Sequence, residues 1–84
     1  MDEVKKEVIS WWLRKVLLPF IGRRFPDFFR ALLHEVSLPK HGQEILELRY
    51  VLDVPWKLIP ERVGLEDRQV FSVHKKCIEK LIIL

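Results

Sequence analysis

Arg68, Gln69, Ser72, Lys75 and Lys76 fall within nine residues of one another. The same segment carries Val70, Val73, Cys77 and Leu81 at the spacing of one helix face. A helix that buries this stripe turns Asp67, Arg68, Gln69, Ser72, Lys75 and Lys76 outward. These side-chain types suit a nucleic-acid groove. Arginine pairs bidentately with guanine and glutamine with adenine. Lys57, Lys75 and Lys76 suit phosphates, which fix register without reading sequence. His74 suits either a donor to phosphate or, the favoured reading, a hydrogen-bonded structural residue. Phe71 lies off the stripe and, with Ile78 and Ile82, makes a second apolar face expected to pack on the N-terminal helices, with a dimer contact as the alternative.

Catalytic chemistry finds no comparable arrangement. The sequence has no Gly-rich phosphate loop, no His-Glu-x-x-His and no paired carboxylates at a useful spacing. His34 and His41 are seven residues apart beside Glu35, which matches no established metal-ligand spacing. Cys77, the one cysteine, sits on the buried stripe and reads as inert core. Neither an enzyme nor a cofactor or metal is expected.

The elements that must position the outward face are all helical. No stretch alternates apolar and polar residues, and no Asn-Gly or Asp-Gly hairpin turn occurs. Five helices are expected. The first spans about 2–18, with Asp2 and Glu3 complementing its N-terminal end, and Pro19 and Gly22 interrupting the pattern. The second begins at Pro26 and runs to 36, on the start signals Pro26 and Asp27. Residues 37–40 open a third, carried by Ile45, Leu46, Leu48, Val51 and Leu52. A short fourth covers 55–63, with Pro60 predicting a kink or two short turns and Gly64 ending it in a left-handed residue. The fifth runs from 66 to the C-terminus.

Eighty-four residues allow one small domain. At 49% hydrophobic and 32% charged, the chain is no disordered tail. A single cysteine, no signal-peptide pattern and no apolar run long enough to span a bilayer predict a reduced, cytoplasmic protein without a membrane partner. The net charge of +3 is uneven. Residues 1–41 hold eight Lys or Arg against five Asp or Glu, and 42–84 hold seven of each.

Residues 37–50, Ser-Leu-Pro-Lys-His-Gly-Gln-Glu-Ile-Leu-Glu-Leu-Arg-Tyr, resemble the first helix of the fourth region of bacterial sigma factors. The likeness continues without a gap to residue 81. Trp56, Ile59, Val63, Gly64, Leu65, Val70 and Leu81 stand where that helix-turn-helix has core and turn residues. A narrower resemblance, on Arg49-Tyr50, Trp56, Ile59, Val70-Phe71 and His74, is to small phage transcriptional activators of the ArpU and RinA type. The resemblance implies an all-α fold with an N-terminal helical hairpin at 1–36 and a sigma-like helix-turn-helix at 37–84. It also implies that Asp67, Arg68, Gln69, Phe71 and Ser72 contact bases and backbone of double-stranded DNA.

The N-terminal segment carries a different signal. Trp11, Trp12, Phe20, Phe25, Phe28 and Phe29 place six of the nine aromatic residues within 19 positions. One small domain can hardly bury all of them beside Ile82, Ile83 and Leu84. Trp11, Trp12, Phe20, Phe28, Phe29 and Ile82 are therefore expected at a homodimer or partner interface, where aromatics are enriched. The resulting expectation is a small, dimeric, DNA-binding transcription regulator of phage type. The alternative keeps the sigma-like fold as a protein-interaction module that contacts RNA polymerase, another regulator or a host defence protein. A small DNA-packaging subunit is a third reading.

Overall fold

The structure is a computed structural model and describes residues 3–82. Every regular element among them is helical, and they form one small all-α domain. α1 (Glu3–Trp12) passes through a π turn (Leu13–Leu17) into α2 (Leu18–Arg24). Trp12, Leu17 and Leu18 all hold right-handed helical dihedrals, so 3–24 is one continuous rod. The expected break at Pro19 and Gly22 does not occur, and each residue has its own reason. Pro19 lacks an N–H, and its ring would press on the carbonyl four residues back. The turn just before it is widened, with the Leu18 amide donating to the Leu13 carbonyl five residues away. Gly22 is buried where α2 crosses residues 47–51. A Cβ there would overlap the Tyr50 carbonyl oxygen and stand 2.7 Å from its carbon. The glycine permits a close crossing and does not end the helix. Asp2, Ile83 and Leu84 lie outside the described residues.

α3 (Pro26–Glu35) starts on Pro26 and Asp27, as the sequence predicts, and buries Phe29 and Leu33. The third predicted helix starts later than 37–40. Val36 is extended, and Leu38 precedes Pro39, which disfavours the helical region for it. A turn closed by the Gly42 amide on the Pro39 carbonyl follows, with His41 left-handed at φ 69°. Only then do α4 (Gly42–Leu46) and a second π turn (Glu47–Val51) form. The predicted fourth helix is two short pieces, a 3-10 turn (Trp56–Leu58) and α5 (Ile59–Val63), with Pro60 in the first turn of α5. A first-turn Pro removes no helical hydrogen bond. Gly64 ends α5 at φ 73°, and the Gly64 and Leu65 amides both donate to the Pro60 carbonyl. α6 (Asp67–Ile82) is the last element among the described residues.

Two apolar clusters hold these elements. The first joins Leu13, Leu18, Phe29 and Leu33 to Leu46, Tyr50, Cys77 and Ile78. The N-terminal helices therefore share a core with the second half. The second cluster, Ile45, Val54, Ile59, Val63 and Val70, seats α5 and the start of α6 on α4. Arg23–Asp53 at 2.6 Å and Arg30–Glu47 at 2.7 Å tie the halves at the surface, where each pair contributes little. Phe29 is fully buried, which corrects its expected place at an interface. Ile82 is partly buried against the first cluster.

Candidate nucleic-acid interface

α6 presents the stripe and the outward face that its spacing predicts. Val70 and Cys77 are fully buried and Val73 and Leu81 half-buried, while Asp67, Arg68, Gln69, Phe71, Ser72, Lys75 and Lys76 are exposed. Burial raises the Cys77 thiol to about 11. That leaves it protonated at neutral pH, in keeping with an inert core residue. Ile78 belongs to the first core with Leu13 and Leu18 of the N-terminal rod, and Ile82 packs against it.

Phe71 packs elsewhere than expected. Its ring lies 5.3 Å from that of Trp56 and not on the N-terminal helices. Trp56 in turn receives the Arg49 guanidinium over its face at 5.4 Å and meets the His74 ring edge-on at 4.6 Å. This stack braces the 3-10 turn, and with it the exposed Lys57, against the middle of α6.

His74 is buried beneath the stack, with its Nε2 2.8 Å from the Tyr50 hydroxyl. Burial, reinforced by the Arg14 and Arg49 charges, lowers its pKa to about 4. Burial also raises the Tyr50 hydroxyl to about 12, against the opposing pull of Arg49 and Arg14. Both groups are neutral at pH 7, so His74 offers no charge to a phosphate.

At the start of α6 the side chains separate by role. The Glu66 backbone N–H donates to the Gln69 Oε1 at 2.9 Å, the back-reaching half of a capping box. Reading adenine bidentately requires that oxygen as well as the amide nitrogen. In this structure Gln69 is a helix cap. Arg68 carries no such bond and faces an open groove of about 440 Å³. Lys40, His41, Gln69 and Ser72 line the same groove over a floor of Leu65 and Val73. Lys40 and His41 are the residues that sequence reasoning missed. They lie 27 or more positions before Arg68 and reach the groove only through the left-handed turn at His41 and the tight seat of Gly42. A Cβ on Gly42 would stand 2.7 Å from the Cys77 Sγ, so that turn is pressed directly onto α6.

Asp67 and Phe71 point to a second strip of the same helix, beside Lys75. The outward face of α6 thus carries a basic strip along the groove and an aromatic strip along the Trp56 stack. Among the described residues, no group of three His, Cys, Asp or Glu side chains is arranged to hold a metal ion, and no helix is long and apolar enough to cross a membrane. No protein-family model, no curated protein and no solved structure matches this chain.

Proposed function

We infer that the chain is a small double-stranded-DNA-binding regulator that lays α6 in the major groove, with α5 and the Gly64 turn as a sigma-like helix-turn-helix. The observation that carries this reading is the convergence of Arg68, Lys40 and His41 on one open groove along the N-terminal half of α6. N-terminal residues of a recognition helix are those that reach base edges. Arg68 is the base reader and Ser72 its neighbour along the groove. Lys40, Lys75, Lys76 and Lys57 meet phosphates, and Gln69 holds the helix start. Binding of the purified protein to mixed-sequence duplex at about 50 and 200 mM salt tests it. Affinity that falls steeply with salt, and weakens on Lys75→Ala/Lys76→Ala for all sequences alike, supports the reading. Absence of binding at the lower salt ends it.

A second reading is favoured by the Trp56–Phe71 pair. Phe71 is half exposed on the outward face of the helix, and residues 42–84 carry no net charge. A protein-interaction module uses such an aromatic strip directly, and its binding has no steep salt slope. Phe71→Ala separates the two, because it disables the interaction module and leaves the phosphate contacts of Lys40, Lys75 and Lys76 in place.

A further inference from the structure

The rod at 3–24 is apolar on two sides. Ile9, Leu13, Leu17 and Ile21 pack into the first core. One residue ahead of each, Val8, Trp12, Val16 and Phe20 face solvent at 59, 46, 45 and 53% exposure. Val4 extends the outward series and Trp11 flanks it, both more than half exposed. Each series advances in steps of four. Four residues overshoot a turn of α-helix and fall short of a π turn. The π turn at Leu13–Leu17 therefore offsets part of the drift and keeps Val4 and Phe20 within about a quarter turn of each other.

We propose that this face joins two copies of the chain, the rods packing antiparallel about a two-fold axis beside Trp12. Three observations identify a second copy as the occupant. The series is symmetric about Trp12, with Val8 and Val16 four residues away and Val4 and Phe20 eight away. Run against itself, it sets Val8 on the partner's Val16 and Val4 on the partner's Phe20, the reciprocal pairing a two-fold interface requires. The six outward side chains expose on the order of 600 Å² per chain, close to the roughly 800 Å² per partner of a standard interface. That sits at the upper limit of what a monomer leaves open. No charged residue stands within the series itself, and exposed Glu7 and Lys15 flank it on either side of Trp11, at the rim. The pairing stands whether or not the chain binds DNA.

Sedimentation equilibrium of the full chain over about 1 to 200 µM tests it. The expected result is twice the 10.1 kDa chain mass. Trp12→Glu sets two carboxylates across the axis and should weaken the dimer by at least about 30-fold. Because Trp12 belongs to neither core, circular dichroism should show Trp12→Glu still folded. Oxidative crosslinking tests the register. Trp12→Cys should form a disulfide dimer. Val4→Cys should do so only when mixed with Phe20→Cys, and buried Cys77 stays silent. A wild-type chain that is monomeric throughout overturns the proposal. So does a dimer unaffected by Trp12→Glu, or Val4→Cys crosslinking to itself as readily as Trp12→Cys does.

Discussion

Tyr50 and His74, 24 residues apart, meet through a 2.8 Å contact between hydroxyl and imidazole in the interior, joining the second π turn to α6. This buried polar contact gives the fold a defined pH response. The His74 pKa is near 4 when folded and ordinarily about 6.5. Between those values the unfolded chain binds a proton that the folded chain does not, so stability falls as pH drops from 6.5 towards 4. The full loss from this residue is on the order of 3 kcal/mol. His74→Gln keeps a hydrogen-bonding side chain without the titration. Thermal unfolding at pH 7 and pH 4.5 should show a smaller drop in Tm for the variant than for wild type. Equal drops would sink the assignment.

Gly22 and Gly64 should respond to alanine for different reasons. At Gly22 the new methyl meets the Tyr50 backbone, which cannot swing aside as a flexible side chain can. Gly22→Ala should therefore cost about 3 kcal/mol or more, as severe overpacking does. At Gly64 nothing lies within 4 Å, and only the φ of 73° resists a side chain. Gly64→Ala should cost about 1 kcal/mol, and Gly64→Asn less. Urea midpoints for the three variants check the order.

Phe28 and Phe29 are neighbours with opposite surroundings, 60% exposed and fully buried respectively. Phe29→Ala opens a cavity in the first core and should cost about 3 to 5 kcal/mol. Phe28→Ala should lie within about 0.5 kcal/mol of wild type. Denaturant unfolding of the two variants distinguishes them, and similar losses would contradict the packing of α3.

Arg68 and Gln69, side by side at the start of α6, should divide stability from recognition. Gln69→Ala removes the bond to the Glu66 amide and should cost about 1 kcal/mol of stability, with little change in base preference. Arg68→Ala should leave Tm unchanged and lower affinity for the preferred duplex by about 1 to 3 kcal/mol. Lys40→Ala should weaken all duplexes alike and reduce the salt slope by about 1. A shift assay across salt, paired with melting curves, reads all three. A Gln69→Ala protein with wild-type Tm and altered base preference would reverse its role.

Local pattern alone makes much of this molecule legible. The spacing of Val70, Val73, Cys77 and Leu81 determines which side of α6 is buried, because 3.6 residues per turn is a property of the backbone itself. Pro26 and Gly64 mark a helix start and a helix end through their own dihedral preferences, and the six aromatic residues crowded into 11–29 already imply more apolar surface than one core can cover. The path of the chain decides the rest. Periodicity cannot say which of Phe28 and Phe29 turns inward, since that depends on the rotation at which α3 meets α2. Nor can it show that Gly22 serves a crossing, because the atom it must clear belongs to Tyr50, 28 residues away. Gln69 becomes a cap only once the helix starts immediately after Glu66, and Lys40 and His41 join Arg68 only because Gly42 seats their turn against Cys77. Spacing records which residues share a face; which faces meet is settled by close packing between segments distant in sequence.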